Sequence, residues 1–215
     1  ITAGHNIWGA VSKKLFAGTV KLGQKGAAGL VRSAPQGVVS LVYTLIGGVE
    51  SDFGMYFLDD IPGPTSWLGL GYSAGNWLLG QKVALYGYPA SYCACKDAPD
   101  KVFDKVYKAP LGQCADYLYG EDRLVVLIDP GVFASVGASQ EEMSGAPYFV
   151  GGTQDPAVVG VHSQGASNVG NAKSFDVADF MKICGWIGAV KSQYYSHDFC
   201  DQVCAAMPWL CNTSG

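Results

Sequence analysis

Charge is what this sequence has least of. Only 15% of its 215 residues are Asp, Glu, Lys or Arg, and the net charge is −4. Basic residues gather nowhere beyond the Lys13-Lys14 pair, so the positive surface that neutralises a phosphate backbone is missing and no nucleic acid is expected as a partner. No uninterrupted apolar run reaches the ~18 residues of a bilayer-spanning helix, so no membrane span is expected. Neither an initiator Met nor a basic-then-apolar leader opens the chain, and the expectation is that a signal segment was removed or that the front is incomplete. Histidine is scarce, with His5, His162 and His197 the only three. The set His197, Cys200, Cys204 and Cys211 comes nearest to a metal-ligand group, but its spacing matches no common zinc pattern, so no metal and no cofactor is expected.

What is present points to β-structure outside the cytoplasm. Hydrophobic residues make up 49% of the chain and glycine contributes 29 positions, a balance suited to an all-β protein. Seven cysteines favour an oxidising compartment, and Cys184, Cys200, Cys204 and Cys211 read as staples of a C-terminal tail; the odd count leaves one thiol free or paired elsewhere. Asn212-Thr213-Ser214 is a glycosylation sequon in the same secretory direction.

Strand-like runs rich in β-branched and aromatic residues recur between Gly, Pro and Asn: residues 38–46, 82–88, 123–128, 146–150 and 157–161. Residues 62–76, dense in turn formers, read as a connector, and 92–120 as a long surface excursion with one short strand near 103–107. One persuasive helix begins near Ser174, capped by Ser174 or Asp176, with Phe175, Ala178, Phe180, Ile183, Trp186 and Ile187 sharing a face.

Three stretches carry chemistry together: TAGHNI around His5, ESDFGMYFLDD around Asp52, and EEMSGAPYF around Ser144. A serine hydroxyl is a poor nucleophile until an imidazole takes its proton, and the imidazole needs a carboxylate to fix its tautomer and balance its charge. The chain offers base, orienter and nucleophile in that order, although each is weak alone. His5 can be a strand-end polar residue, Ser144 a simple turn, and Asp59 and Asp60 compete with Asp52.

These stretches resemble the chymotrypsin-like serine protease family, above all its glutamyl-endopeptidase branch. Thr2-Ala3-Gly4-His5 matches the T-A-[AG]-H motif, residues 52–58 approximate the strand opened by the aspartate, and Ser144-Gly145-Ala146-Pro147 matches S-G-[GSA]-P. Tyr86-Gly87-Tyr88-Pro89 resembles the turn opening the second barrel, and residues 158–163 the strand lining the specificity pocket. The likeness runs to about Trp186; the cysteine-bearing end has no counterpart in it.

The resemblance implies an all-β fold of two antiparallel barrels. An N-terminally incomplete lobe over 1–70 carries His5 and Asp52, a second lobe over 71–174 carries Ser144 and the pocket, and 175–215 forms a helix and Cys-bearing tail. It implies a secreted, monomeric serine endopeptidase acting on peptides or proteins. Backbone N–H groups of Glu142 and Ser144 would face the oxyanion, and Ser139, His162 and Ser163 would line the pocket. Ala138, at the pocket base, carries no carboxylate for Lys or Arg; a histidine and a hydroxyl instead suit a Glu or Asp side chain.

Two departures stand out. Glu142 replaces the glycine of the oxyanion turn, and Met143 replaces the Asp or Asn before the serine, so Ile1 is no trypsin-type activated terminus. The alternative reading is a catalytically inactive homologue that binds without cutting.

Overall fold

The computed structural model describes residues 1–25, 28–58, 69–72, 76–87, 119–136, 143–151, 156–166 and 169–190. Its elements in chain order are β1 (Trp8–Gly9), β2 (Lys14–Leu15), β3 (Gly18–Lys25), β4 (Ala28–Ala34), β5 (Gln36–Val39), α1 (Leu41–Ile46), β6 (Gly54–Phe57), β7 (Gly69–Leu70), β8 (Lys82–Gly87), β9 (Tyr119–Asp129), β10 (Val132–Val136), β11 (Pro147–Val150), β12 (Ala157–Ala166), β13 (Val169–Ser174) and α2 (Val177–Val190).

Strands β8 to β13 close on themselves. The order β11-β8-β9-β10-β13-β12 returns to β11 through the β11–β12 pairing, making a six-stranded antiparallel barrel, with β7 added in parallel beside β12. Closure leaves none of the six with an unpaired edge. Inside lie Val83, Leu85, Val125, Phe133, Tyr148, Val159 and Ala172. Three register shifts interrupt the ladders, at Ala134/Ser135, Tyr148/Phe149 and His162/Gln164. Such bulges re-aim side chains, and all three fall beside polar residues described below.

The N-terminal part is β-rich, but among the described residues it forms three two-stranded sheets, β1-β2, β3-β4 and β5-β6, and no closed barrel. One expectation is corrected here: residues 38–46 are not a single strand. The strand ends at Val39, Ser40 occupies the helix N-cap position, and Leu41–Ile46 coil into α1, which Gly47 and Gly48 terminate with φ of 79° and 94°. An apolar run of this length carries no period that separates a strand from a helical turn.

Phe53 ties the two parts together. It packs with Ala84, Phe149, Phe175 and Ile183, meeting the Phe175 ring edge-on at 5.8 Å and Trp186 at 5.5 Å. The C-terminal helix forms as expected, one turn later than Ser174. Asp176 and Asp179 cap it reciprocally: the Asp179 amide donates to Asp176 Oδ1 at 2.8 Å and the Asp176 amide to Asp179 Oδ2 at 3.3 Å. Phe180 and Ile183 are buried and Ala178 is exposed, so the apolar stripe is narrower than the sequence suggests. Cys184 is buried against Phe180 and Met181, whereas Cys200, Cys204, Cys211 and the strand expected near 103–107 lie outside the described residues.

Candidate active site

His5 sits in a single 3-10 turn, Gly4–Asn6, and Asp52 directly follows another, Val49–Ser51. Both turns are anchored by the ladder between Thr2 and Gly54, whose backbones exchange two hydrogen bonds of 2.9 Å. That clamp brings the imidazole onto the carboxylate. Nδ1 of His5 lies 2.7 Å from Asp52 Oδ2, and the His5 amide donates to Oδ1 at 2.9 Å. The carboxylate is buried while the imidazole is about one-third exposed.

A third donor reaches Asp52 from the barrel: the Ser163 hydroxyl bonds to Oδ2. The β12 register shift between His162 and Gln164 brackets this residue, so Ser163 and its neighbour His162 are both buried instead of alternating in and out. The resemblance gives Ser163 a place in the pocket wall; the structure sets its side chain on the carboxylate. Its carbonyl accepts from the Ser144 hydroxyl at 3.1 Å.

Ser144 lies at the tip of the turn into β11, against the His5 turn. Asn6 Nδ2 donates to the Ser144 carbonyl at 2.7 Å and to Thr2 Oγ1 at 3.0 Å. Gly145, with φ of 89°, is required twice over: a Cβ there would strain the backbone and fall 2.0 Å from Thr2 Oγ1. Among the described residues no hydrogen bond joins the Ser144 hydroxyl to His5; the hydroxyl rests on Ser163. Asp59, Asp60, Ser139 and Glu142 lie outside the described residues. A groove of about 370 Å³ opens beside these groups, lined by His5, Tyr43, Gly48, Val49, Asp52, Ser163 and Gln164.

His162 is buried at the barrel end of this region. Its Nδ1 lies 3.2 Å from the Tyr148 hydroxyl, which also meets Ser135 Oγ at 3.1 Å and Arg123 Nη1 at 3.3 Å. Burial, then the charges of Arg123 and His5, push the His162 pKa down to about 4, so the ring is neutral at physiological pH. Among the described residues no cluster of His, Cys, Asp and Glu is arranged to hold a metal, and no helix is long and apolar enough to cross a membrane.

The sequence reading named His5, Asp52, Ser144, His162 and Ser163 as candidates, and the structure adds Asn6, Tyr148 and, through Tyr148, Arg123 to the groups bonded to them. Asn6 carries no motif of its own. Arg123 gave no signal either, because the apolar residues Leu124 and Val126 occupy the outward positions of β9 while Arg123 shares the inward side with Val125.

No protein-family model and no curated protein matches the chain. Solved structures do. A Glu endopeptidase superposes with a TM-score of 0.68 at 18% identity, over 89% of this chain and 80% of that one. A thermostable serine protease from an extremophilic microorganism follows at 0.61 and 19% identity, over 81% and 77%. Protease Anisep from Arthrobacter nicotinovorans gives 0.60 and 15%, over 81% and 76%. The chain thus has the fold of the chymotrypsin-like serine proteases, with a Glu endopeptidase among the structures it resembles.

Proposed function

We propose that the chain is a secreted serine endopeptidase in which His5, Asp52 and Ser144 act as base, orienter and nucleophile. The observation that carries this reading is the pair of hydrogen bonds from His5 to a buried Asp52, made beside the turn that holds Ser144. A carboxylate bonded to Nδ1 commits that nitrogen's proton and leaves Nε2 as the basic atom.

In the proposed cycle the Ser144 hydroxyl leaves the Ser163 carbonyl and turns to His5. His5 Nε2 takes its proton as Oγ attacks the peptide carbonyl. The oxyanion is met by the backbone N–H of Ser144 together with that of Glu142. The C–N bond breaks as the imidazolium returns the proton to the leaving amine. Water then attacks the acyl ester, His5 again taking and returning a proton, and the acid is released.

Selectivity for Glu, or Asp, belongs to the same proposal. His162 and Ser139 are its candidate contacts, and the Glu endopeptidase neighbour supports it.

Fluorophosphonate labelling tests the activity. The unmodified chain should be labelled and Ser144→Ala should not; absence of labelling in both would favour a binding homologue. A peptide panel differing only at the residue before the cut tests selectivity, and equal turnover of Glu, Leu and Lys versions would refute it.

A further inference from the structure

Behind His162 the barrel encloses a buried polar chain drawn from four strands: Arg123 on β9, Ser135 on β10, Tyr148 on β11 and His162 on β12. Arg123, Ser135 and Tyr148 are each no more than 1% exposed. Three of the four lie beside the three ladder irregularities of the barrel. Gly170 makes room for their convergence: a Cβ there would stand 2.4 Å from Arg123 Nη1, 2.8 Å from Tyr148 Oη and 3.1 Å from His162 Cε1.

We infer that Arg123, acting through the Tyr148 hydroxyl, is a positioning residue that holds His162 in the neutral tautomer with its proton on Nε2. This rests on the proposed role of His162 in the pocket and adds how that role is maintained.

The argument is one of donors and acceptors. A guanidinium only donates, so Arg123 takes one lone pair of the Tyr148 oxygen. Ser135 has a single proton, with Tyr148 at 3.1 Å and the Gly170 carbonyl at 3.4 Å to receive it. Giving it to Tyr148 makes the shorter bond and fills the second lone pair. The phenol proton is then left to donate to His162 Nδ1, 3.2 Å away, and the ring's own proton must sit on Nε2. The reverse chain, with Nδ1–H donating to Tyr148, relies on the longer Ser135–Gly170 bond. It also asks a hydroxyl polarised by a cation to be the better acceptor, contrary to the way linked hydrogen bonds reinforce one another.

An Nε2–H is what a substrate carboxylate requires, and the buried guanidinium adds positive potential without protonating the ring. The charged groups acting on His162 are Arg123, from β9, and His5, from the N-terminal turn; Asp52 lies one residue away through Ser163. Selectivity for Glu over Gln should therefore not titrate with His162 near neutrality.

Nitrogen-15 imidazole spectra at pH 7 decide the tautomer. The unmodified chain should show His162 as Nε2–H. Tyr148→Phe, which keeps the ring packed on Phe133 and removes only the hydroxyl, should show a mixture, and Arg123→Gln should shift the balance toward Nδ1–H while Arg123→Lys restores it. The ratio of kcat/KM for Glu over Gln peptides should be flat between pH 5.5 and 8. It should fall about tenfold in Arg123→Gln, the scale of one lost charge-assisted contact. An Nδ1–H ring in the unmodified chain, or spectra unchanged in both Tyr148→Phe and Arg123→Gln, would overturn the inference. If the spectra change as expected but the unmodified chain does not distinguish Glu from Gln, the positioning role stands and the acidic-pocket reading falls.

Discussion

His162 contributes a share of this protein's acid sensitivity that follows from one side chain. Its folded pKa is about 4 against an ordinary 6.5, because burial and the nearby Arg123 charge oppose the imidazolium. In the unfolded chain the ring regains the ordinary value, so between pH 6.5 and 4 the unfolded state binds the extra proton. Acidification through that window therefore destabilises the fold, and below about pH 4 the loss is complete. At about 1.4 kcal/mol per tenfold change in proton affinity, the full loss is about 3 kcal/mol. About 1 kcal/mol of it should be gone at pH 5.5, and between about 2 and 3 kcal/mol at pH 4.5. Asp179, whose pKa burial raises, acts in the opposite sense, favouring the fold as pH falls.

The assay is urea unfolding of Ser144→Ala and of Ser144→Ala/His162→Gln, followed by tryptophan fluorescence at pH 8, 6.5, 5.5 and 4.5. The first substitution removes the proposed nucleophile, and the shared background cancels Asp179 and every other group. Plotted against pH, the stability difference between the two chains should close on the acid side by the amounts above. Parallel curves down to pH 4.5 would show that His162 is not held neutral by the fold, and the electrostatic account of the pocket would fail with it.

Three further outcomes are expected. Asp52→Asn places an amide where His5 Nδ1, the His5 amide and Ser163 now find an acceptor, so kcat should fall on the order of 10⁴-fold with the chain still folded, by steady-state kinetics and circular dichroism. Lys173→Met should cost about 3–5 kcal/mol in denaturant titrations, because it strands Asp179 without its 2.5 Å partner in a buried site, whereas Lys173→Met/Asp179→Leu should recover most of that loss. Ser40→Ala should be neutral or stabilising by up to about 1 kcal/mol in the same titrations, although Ser40 stands at a helix N-cap, since its buried hydroxyl has no partner among the described residues.

The parts of the site that were legible in the sequence are those whose chemistry demands a particular residue type. An imidazole, a carboxylate and a hydroxyl in family-like contexts pointed to His5, Asp52 and Ser144 as candidates, and the first two do meet. Strands β8 and β11 were legible because β-branched and aromatic residues sit between Gly and Pro. Helix α1 was not, since its six residues are too few to display a helical period. The polar chain behind His162 was hidden for a different reason. Along β9 the buried positions hold Arg123 and Val125 while Leu124 and Val126 face outward, so hydrophobicity points the strand the wrong way. Only the bulges, which obey no alternation rule, bring Ser135, Tyr148 and His162 into one chain with the arginine.

Asp52 couples the assembly of these groups to the docking of the N-terminal part on the barrel. Its carboxylate takes two donors from the His5 turn and one from β12, so both parts of the chain must dock before a buried charge is satisfied. An undocked arrangement would expose Phe53, the next residue, and leave the carboxylate short of Ser163. The second crossing, from Asn6 to the Ser144 carbonyl, positions the Ser144 backbone by the same docking event. Apolar burial and charge satisfaction therefore favour one relative placement of the two parts, and it is the one that lays the His5 turn against the Ser144 turn. Substitutions that loosen the Phe53 contacts should consequently lower activity and stability together, whereas substitutions on the exposed face of α1 should change neither.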